Sequence, residues 1–457
     1  MVPIVTADEM RVIDAAAPVG TGVLVERAGA AVARAARRLL GGTYGRAVVV
    51  IAGPGANGAD GRVAARLLAA EGVHVRVVTP ATCPADLTGV HPRPDLVIDA
   101  AYGTGFRGTW HPPVVGDIDV LAVDLPSGID AQTGRAAGAV LGARRTVTFA
   151  ALKPGLVLEP GRTLAGAIDV ADIGLEVHAS AHLVERADVR AWTPARPTDA
   201  HKWRAALRVV AGAPSMAGAA RFVSGAAMRS GAGIVHLSTP GSVLDDVPDE
   251  VVQVPIAAHD WATSVVDSLT RFHALAIGPG LGRDDASAAA VRQVVLEAPV
   301  PVVVDGDGLF ALAWHSDGAG GVLRHRTAPT VLTPHDGEFG LLTGAPPGAD
   351  RFTAARRLAA DLSAVVLLKG SSTLVARPDG AVLVVDTGDA RLATAGSGDV
   401  LTGIIGALLA RGVDAFHAAA AGAYVHGCAG AHTPLPGAVA GDLVAALAPT
   451  WAEVVGS

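Results

Sequence analysis

Short aliphatic runs that end on glycine or aspartate recur along this chain, and that repetition constrains the fold more than any other feature. AVVVIA (Ala47 to Ala52) runs into GPGANGADG, Leu96 to Ala100 into YGTG, Val120 to Asp124 into LPSG, and LRVVA (Leu207 to Ala211) into GAPS; AIGPGLG, PVVVDGDGL and VVLLKGSST repeat the theme further on. Brief runs of branched residues, bounded by turn residues and mostly followed by segments of helical period, read as strands buried on both faces and joined by helices. The chain is therefore α/β, built on parallel, doubly wound sheets. Ligands of such sheets bind beyond the carboxyl ends of the strands, so the residues after each run are the candidate site residues. Half the residues are apolar and only 4% are aromatic, which leaves Ala, Val, Leu and Ile to build a closely packed core.

A length of 457 residues predicts two domains. Residues 176–202 are rich in charge, His and Pro, with Pro194 and Pro197 close together, and read as an extended linker. The predicted domains are 1–195 and 196–457. Net charge is −7 with acids and bases interspersed, and no basic cluster with interleaved aromatics supports nucleic-acid binding. The two cysteines, Cys83 and Cys428, lie far apart, which fits a reducing cytoplasm and argues against a disulfide framework. No apolar run approaches the roughly 18 residues of a membrane span, and the N-terminus lacks a leader pattern, so a soluble cytoplasmic protein is expected. His178, His182 and His201 show no metal-ligand spacing.

In the first domain, residues 7–40 carry apolar positions at helical spacing, broken near Pro18, and predict two helices before the first strand. The loop glycines Gly53, Gly55, Gly58 and Gly61 do not follow GxGxxG, and Thr79 stands where a ribose-binding acid would end the next strand. An ordinary NAD dehydrogenase is thereby disfavoured. Asn57, Asp60, Asp99, Asp124, Ser127 and Asp130 gather oxygen ligands at one edge of the sheet, although Asp99 and Asp124 taken singly equally suit capping of the segments that follow.

In the second domain, Met216 to Arg229 is a helix with a face of small residues. Lys369 follows four apolar residues and precedes GSST, a combination suited to an anion. TAGSGDVLTGIIGALL places Gly396, Ser397, Gly398 and Asp399 immediately before an apolar helix. Its first-turn N–H groups and dipole favour phosphate, and Asp399 stands beside whatever binds. Read alone, the same stretch is equally a helix capped by Ser397 with Asp399 complementing the dipole. No GxxxxGK[ST] is present, so this is not a P-loop.

Taken in order, GPGANGADG, VIDAAYGTG, DLPSGID and TFAALKPG resemble the N-terminal epimerase domain of bifunctional NAD(P)H-hydrate repair enzymes. The resemblance implies a Rossmann-like three-layer domain that epimerises the hydrated carbon of damaged NADH or NADPH. It implies K+ held by Asn57, Asp99 and Ser127, hard oxygen ligands that suit such an ion. Substrate contacts would come from Ala56, Asn57, Gly58, Ala59 and Asp60 and from Gly103, Thr104, Gly105, Phe106, Arg107, Gly108 and Thr109, with Asp124 as acid/base. The family's loop usually has Asn where Ala56 stands and Gly where Ala59 stands. If position 59 needs positive φ, alanine there costs about 1 kcal/mol or more, and slowed epimerisation is expected.

The set HK (His201, Lys202), MAGAA, SGAGIV, GPGLG, VDGDGL, TPHDGEF, LLKGSST, TAGSGDVLTGIIGALL and YVHGCAG likewise resembles the ADP- or ATP-dependent NAD(P)H-hydrate dehydratase domain, of ribokinase-like fold. That implies a hydrate site lined by Ala219, Gly280, His335 and Asp399, and ADP or ATP bound by Lys369, Gly370, Ser371, Ser372, Thr373 and Gly398. Asp399 would act as base in a phosphorylation that ends in dehydration, with Mg2+ neutralising phosphoryl charge; Asp305, Asp307 and Glu338 are the candidate Mg2+ ligands. Trp203 to Ala206 departs from the small Gly residues the family has after HK. The resemblance also implies the hydrates NADHX and NADPHX as substrates and a homo-oligomer. A ribokinase-type small-molecule kinase, or a pyridine-nucleotide-binding scaffold with an inactive first domain, are the competing readings.

Overall fold

The computed structural model describes residues 1–456, which divide into two compact units, Val2–Ala181 and a second from His182 onward. The first unit opens with helices α1 (Ala7–Ala15) and α2 (Thr21–Leu40). Strands β1 (Ala47–Ala52), β2 (His74–Val78), β3 (Leu96–Ala100), β4 (Asp119–Val123), β5 (Arg145–Phe149) and β6 (Ala167–Ala171) follow, with α3 (Ala56–Ala70) between the first two. They form one parallel sheet in the order β2-β1-β3-β4-β5-β6. Alternation along β1 sends Val48, Val50 and Ala52 to the face covered by α2 and α3, and Val49 and Ile51 to the opposite face. That second face is closed by loop residues, among them Leu87, Trp110 and Leu141. The order reverses between β1 and β3, which opens a crevice beyond the ends of those two strands.

In the second unit, β7 (Ala206–Val210), β8 (Ile234–Ser238), β9 (Val251–Gln253), β10 (Ala274–Ile277), β11 (Val302–Val304), β12 (Thr330–Leu332), β13 (Val365–Leu368), β14 (Thr373–Ala376) and β15 (Val382–Val385) pair in the order β15-β14-β13-β12-β11-β10-β7-β8-β9. All pairings are parallel except β13–β14 and β14–β15, an antiparallel hairpin extension. Its helices include α4 (Arg186–Trp192), α5 (Ala217–Arg229), α6 (Asp285–Glu297), α7 (Asp307–Ala313), α8 (Asp336–Thr343), α9 (Arg351–Leu362), α10 (Ser397–Ala410), α11 (Ala415–Ala431) and α12 (Ala440–Val455). Every residue of α10 is buried except Gly398 and Asp399. A helix apolar all round has to be an interior one, and α10 lies among α5, α11 and the central strands with only its first turn reaching polar surroundings.

Two expectations change. The stretch read as an extended linker holds α4, anchored by the fully buried Val189 and started by a capping box between Glu185 and Asp188. Consequently the boundary between compact units falls at Ala181/His182, ahead of residue 195. Ala59, in turn, sits inside α3, whose N-cap is Gly55, so no left-handed backbone is needed there and alanine introduces no strain. The close approach falls one residue earlier: a Cβ on Gly58 would stand 1.9 Å from the Gly53 carbonyl oxygen. Among the described residues, no helix is long and apolar enough to cross a membrane.

Candidate active sites

In the first unit, the crevice at the β1/β3 reversal is a cavity of about 630 Å³. Ala56, Asn57 and Asp60 of α3, Gly103 to Arg107 after β3, and Asp124 after β4 line it; Gly58, Ala59, Gly108 and Thr109 do not. Asp124 adopts φ +67, uncommon for a residue with a side chain and shared here with Ala150, Asp246, Asp260 and Ser363. Its Oδ1 accepts from Lys153 Nζ at 2.5 Å and from Thr148 Oγ1 at 3.1 Å. The ammonium also donates to Thr148 Oγ1 at 2.8 Å and to the Phe149 carbonyl at 3.2 Å, so all three of its protons have acceptors. Lys153 is 2% exposed and comes from the TFAALKPG segment.

Around this one buried cation stand three carboxylates. Burial, followed by the Asp124 charge, pushes Asp60 up to about 8 against the pull of Lys153. Asp14 of α1, also lining the cavity, is raised for the same reasons. The cleft thus sets Asp60, held protonated to about pH 8 by its burial, in the same cavity as Asp124, which is ion-paired with Lys153.

Beneath the cavity floor, Asp99 is fully buried. Its Oδ1 accepts from Ser127 Oγ at 2.6 Å and its Oδ2 from Ser127 N at 2.9 Å, and burial still raises its pKa. Asn57 Nδ2 donates to the Tyr102 carbonyl at 3.0 Å, while Tyr102 N donates to Ser127 Oγ at 2.8 Å. Asn57, Asp99 and Ser127 are therefore brought together around Tyr102. No side-chain cation pairs with Asp99 among the described residues, and a buried carboxylate among oxygen donors without a counter-charge suits a hard monovalent cation.

In the second unit the site lies where β11, β13 and α10 meet. Gly396 takes φ +88 as the N-cap of α10, and no side chain caps the helix. Ser397 is the first helical residue; its Oγ donates to the Leu392 carbonyl at 2.7 Å and locks the turn, so Ser397 is not the cap. The uncapped first turn presents its N–H groups to an anion. Lys369, at the end of β13, donates to Asp305 Oδ1 at 2.6 Å and lies 3.9 Å from Glu338 Oε2. Thr402, one turn along α10 from Gly398, donates to Asp305 Oδ2 at 2.8 Å. A Cβ on Gly398 would stand 3.3 Å from Lys369 Nζ and 3.5 Å from Asp305 Oδ2, so this ion pair faces the first turn directly.

Burial and then the Asp305 charge raise Asp399 to about 7, with Lys369 opposing. Burial also raises Glu338, and for Lys369 the surrounding carboxylates outweigh burial and raise the ammonium. Behind the turn, His426 of α11 is buried with Nε2 unpartnered, and burial lowers it to about 4. It is a neutral imidazole hydrogen-bonded to the backbone of Ser397, so it supports the anion turn as well as packing in its Ala-rich helix.

The other expected residues are placed as follows. Gly280 packs on Ala219 and Met216 at the end of β10. His335 follows β12 and caps α8: Nδ1 accepts from Gly337 N at 3.0 Å and Glu338 N at 3.1 Å, while His335 N donates to Glu338 Oε2 at 2.9 Å. The ring is committed to helix capping, with its Nε2 edge exposed. Gly370 and Ser371 are exposed after β13, Ser372 is buried and Thr373 opens β14. Arg351, unmarked in the sequence, fixes this turn by donating to the Lys369 carbonyl at 2.6 Å and to Asp336 at 2.8 Å. Asp305, Asp307 and Glu338 do not form a metal cage. Asp305 accepts from Lys369 and Thr402, and Asp307 from Gly282 N and Arg283; among the described residues no three His, Cys, Asp or Glu are arranged so that they could hold a metal ion.

Fold and sites together define a two-unit α/β enzyme, a Rossmann-like unit with a cleft lined by carboxyl groups followed by a ribokinase-like unit with a helix-terminal glycine turn and a carboxyl of raised pKa. The family model described as NAD(P)H-hydrate dehydratase matches residues 207–449, and that described as YjeF-related protein N-terminus matches 21–89 and 78–155. The bifunctional NAD(P)H-hydrate repair enzyme Nnr of Moorella thermoacetica is 36% identical over 93% of this chain and 92% of its own length. The enzyme of the same name from Mycobacterium tuberculosis is 39% identical over 87% of each chain. Among solved structures, the ADP/ATP-dependent NAD(P)H-hydrate dehydratase of Bacillus subtilis, co-crystallised with ATP/Mg2+, is 34% identical and covers 59% of this chain and 97% of its own, with a TM-score of 0.51. A ribokinase-like superfamily protein of Enterococcus faecalis shares the fold at 21% identity and a TM-score of 0.53. The chain belongs to the family of bifunctional NAD(P)H-hydrate repair enzymes.

Proposed function

We propose that this chain repairs hydrated NADH and NADPH by two activities, epimerisation of the R and S hydrates in the first unit and ADP- or ATP-dependent dehydration of the S hydrate in the second. The observation that carries the second activity is Asp399, a carboxyl raised to about 7 in the first turn of an uncapped helix, facing the Lys369–Asp305 pair. Hydroxide leaves poorly from the hydrated ring. Asp399 takes the hydroxyl proton, the oxygen attacks the terminal phosphorus of the nucleotide, and the P–O bond to the leaving nucleotide breaks. The ring C–O bond of the resulting phosphate ester then breaks to release inorganic phosphate, the adjacent ring carbon gives up a proton to solvent, and that C–H electron pair forms the double bond that restores the dihydropyridine. N–H groups of Gly398 and its neighbours stabilise charge on the moving phosphoryl group. Mg2+ neutralises phosphate charge when bound, arriving on the nucleotide, since Asp305, Asp307 and Glu338 supply no cage of their own.

In the first unit, Asp124 and Asp60 act as base and acid across the cleft, and Lys153 holds Asp124 in place. Asn57, Asp99 and Ser127 are the residues that would hold K+, which would orient the neighbouring Gly103 to Arg107 loop. The test prepares mixed hydrates of NADH, adds ADP or ATP with Mg2+, and follows recovery of the reduced-nicotinamide absorbance alongside release of inorganic phosphate. Recovery matched by phosphate release is expected. No recovery with either nucleotide overturns the dehydratase reading, and a stable phosphorylated product without recovery points to a kinase.

A further inference from the structure

The second unit holds another cavity, of about 570 Å³, at the edge of the sheet opposite the catalytic one. Ala205 and Gly233, which line it, come immediately before β7 and β8, so it lies at the amino ends of the strands. Arg411, which also lines it, is the C-cap of α10. Asp399 sits at the other end of that helix, about 20 Å away at a rise of about 1.5 Å per residue. This cavity and the nucleotide turn are separate places.

Among the described residues its lining carries Arg196, Arg204, Arg229, Arg411 and His201, and no carboxylate. Asp199 pairs with Arg204 at 2.6 Å. Among the described residues no carboxylate reaches Arg196, Arg229 or Arg411 within ion-pair distance. Arg411 donates only to carbonyls, of Pro194 at 2.5 Å and Ser230 at 3.3 Å. Arg196, Arg204 and Arg229 are exposed at the mouth, whereas Arg411 is more enclosed, and burial followed by the Arg196 charge lowers the Arg411 pKa. Apolar groups line it beside the arginines: Trp451, oriented by its Nε1 bond to Ser230 Oγ at 3.2 Å, with Val455, Pro194 and Pro197.

We propose that this cavity binds an organic phosphate of about nucleotide size. Guanidinium forks match phosphate oxygens, the Trp451 wall suits a base or sugar ring, and the volume lies in the roughly 300 to 1,000 Å³ range of small-molecule sites. The site stands independently of the repair reaction, so its failure leaves the repair reading untouched.

The experiment titrates the full-length protein with 5′-AMP and, separately, with inorganic pyrophosphate, by calorimetry at low and high salt. The same titrations are run on Arg196→Glu/Arg229→Glu, two positions that carry no backbone hydrogen bonds from their side chains; Arg411 is left unchanged because it holds Pro194 and Ser230. Expected is AMP binding that weakens with salt and falls tenfold or more in the double variant, with the kcat of dehydration unchanged and pyrophosphate binding more weakly than AMP. Equal AMP affinity in the variant places the nucleotide elsewhere and overturns the site, as does absence of binding up to about 10 mM. Pyrophosphate binding as tightly as AMP with the same arginine dependence overturns the role of the Trp451 wall.

Discussion

Protonation at two carboxyls decides much of this chemistry. Asp399 titrates at about 7 because burial and Asp305 outweigh Lys369. As a base it works only when ionised, so kcat/KM for dehydration should fall about tenfold per pH unit below 7 and level off above about 8. A pH-rate profile with saturating nucleotide checks this, and Asp399→Asn should lower kcat by roughly 10² to 10⁴ without unfolding the chain. Asp60 carries the complementary consequence for stability. Its folded value of about 8 stands above its ordinary 3.8, so between those values the folded chain holds a proton that the unfolded chain has lost. Stability contributed by that proton is complete below about 4 and is lost as pH rises through about 8. Asp60→Asn, neutral throughout, should therefore gain stability over wild type progressively from pH 5 to 8, by up to about 4 kcal/mol at the upper end, read as a rising Tm difference. A Tm difference that stays flat with pH contradicts the assignment. Asp399 was legible in the sequence because GSGD directly precedes a helical apolar pattern, and Asp60 because it follows a glycine-rich strand end. Lys153 was not legible as a site residue: it lies in an apolar context, and its partner Asp124 is on another strand end. Asp305 was a candidate for Mg2+ on sequence; the structure shows in addition that it holds Lys369 and Thr402, partners on two other elements that no sequence spacing announces.

At the level of elements, α3 shows how a departure from family pattern reads differently once its backbone is known. Alanine at 59 looks costly if the glycine-rich segment is a loop, yet the segment from Ala56 onward is already helix. Within a helix alanine is the favoured residue, so Ala59→Gly should lower stability by about 0.5 to 1 kcal/mol and leave epimerisation unimproved. Chemical denaturation of the two proteins and an epimerisation assay check both parts. A gain in epimerisation would mean that the position limits the reaction after all. The buried strands were legible because each is an unbroken aliphatic run closed by Gly or Asp, and Ala47–Ala52 and Leu96–Ala100 fall where expected. Helix α4 was hidden among His, Pro and charge, because one buried valine and a capping box suffice to fix so short a helix once a neighbouring surface receives it. β9 is three residues long, too short for a period to register.

Across the whole molecule, two parallel sheets each place chemistry at the carboxyl ends of their strands, with separate carboxyls and separate charge partners. Asp124 depends on Lys153, and Asp399 responds to Asp305 and Lys369. Nothing in either set is shared, so in the full-length protein the two activities should separate cleanly by single substitution. Asp124→Asn keeps its volume but loses the ion pair with Lys153. That variant should dehydrate the S hydrate at the wild-type rate. Given a mixture of R and S hydrates, it should recover absorbance only up to the S fraction and then continue no faster than spontaneous epimerisation. Asp399→Asn should show the reverse, rapid equilibration of the two hydrates followed by roughly 10²-fold or slower recovery. Chromatography of the hydrates beside the absorbance trace distinguishes the outcomes. If Asp124→Asn slows dehydration of pure S hydrate as much as it slows epimerisation, the two carboxyls do not work independently, and the division of labour argued from their separate partners fails.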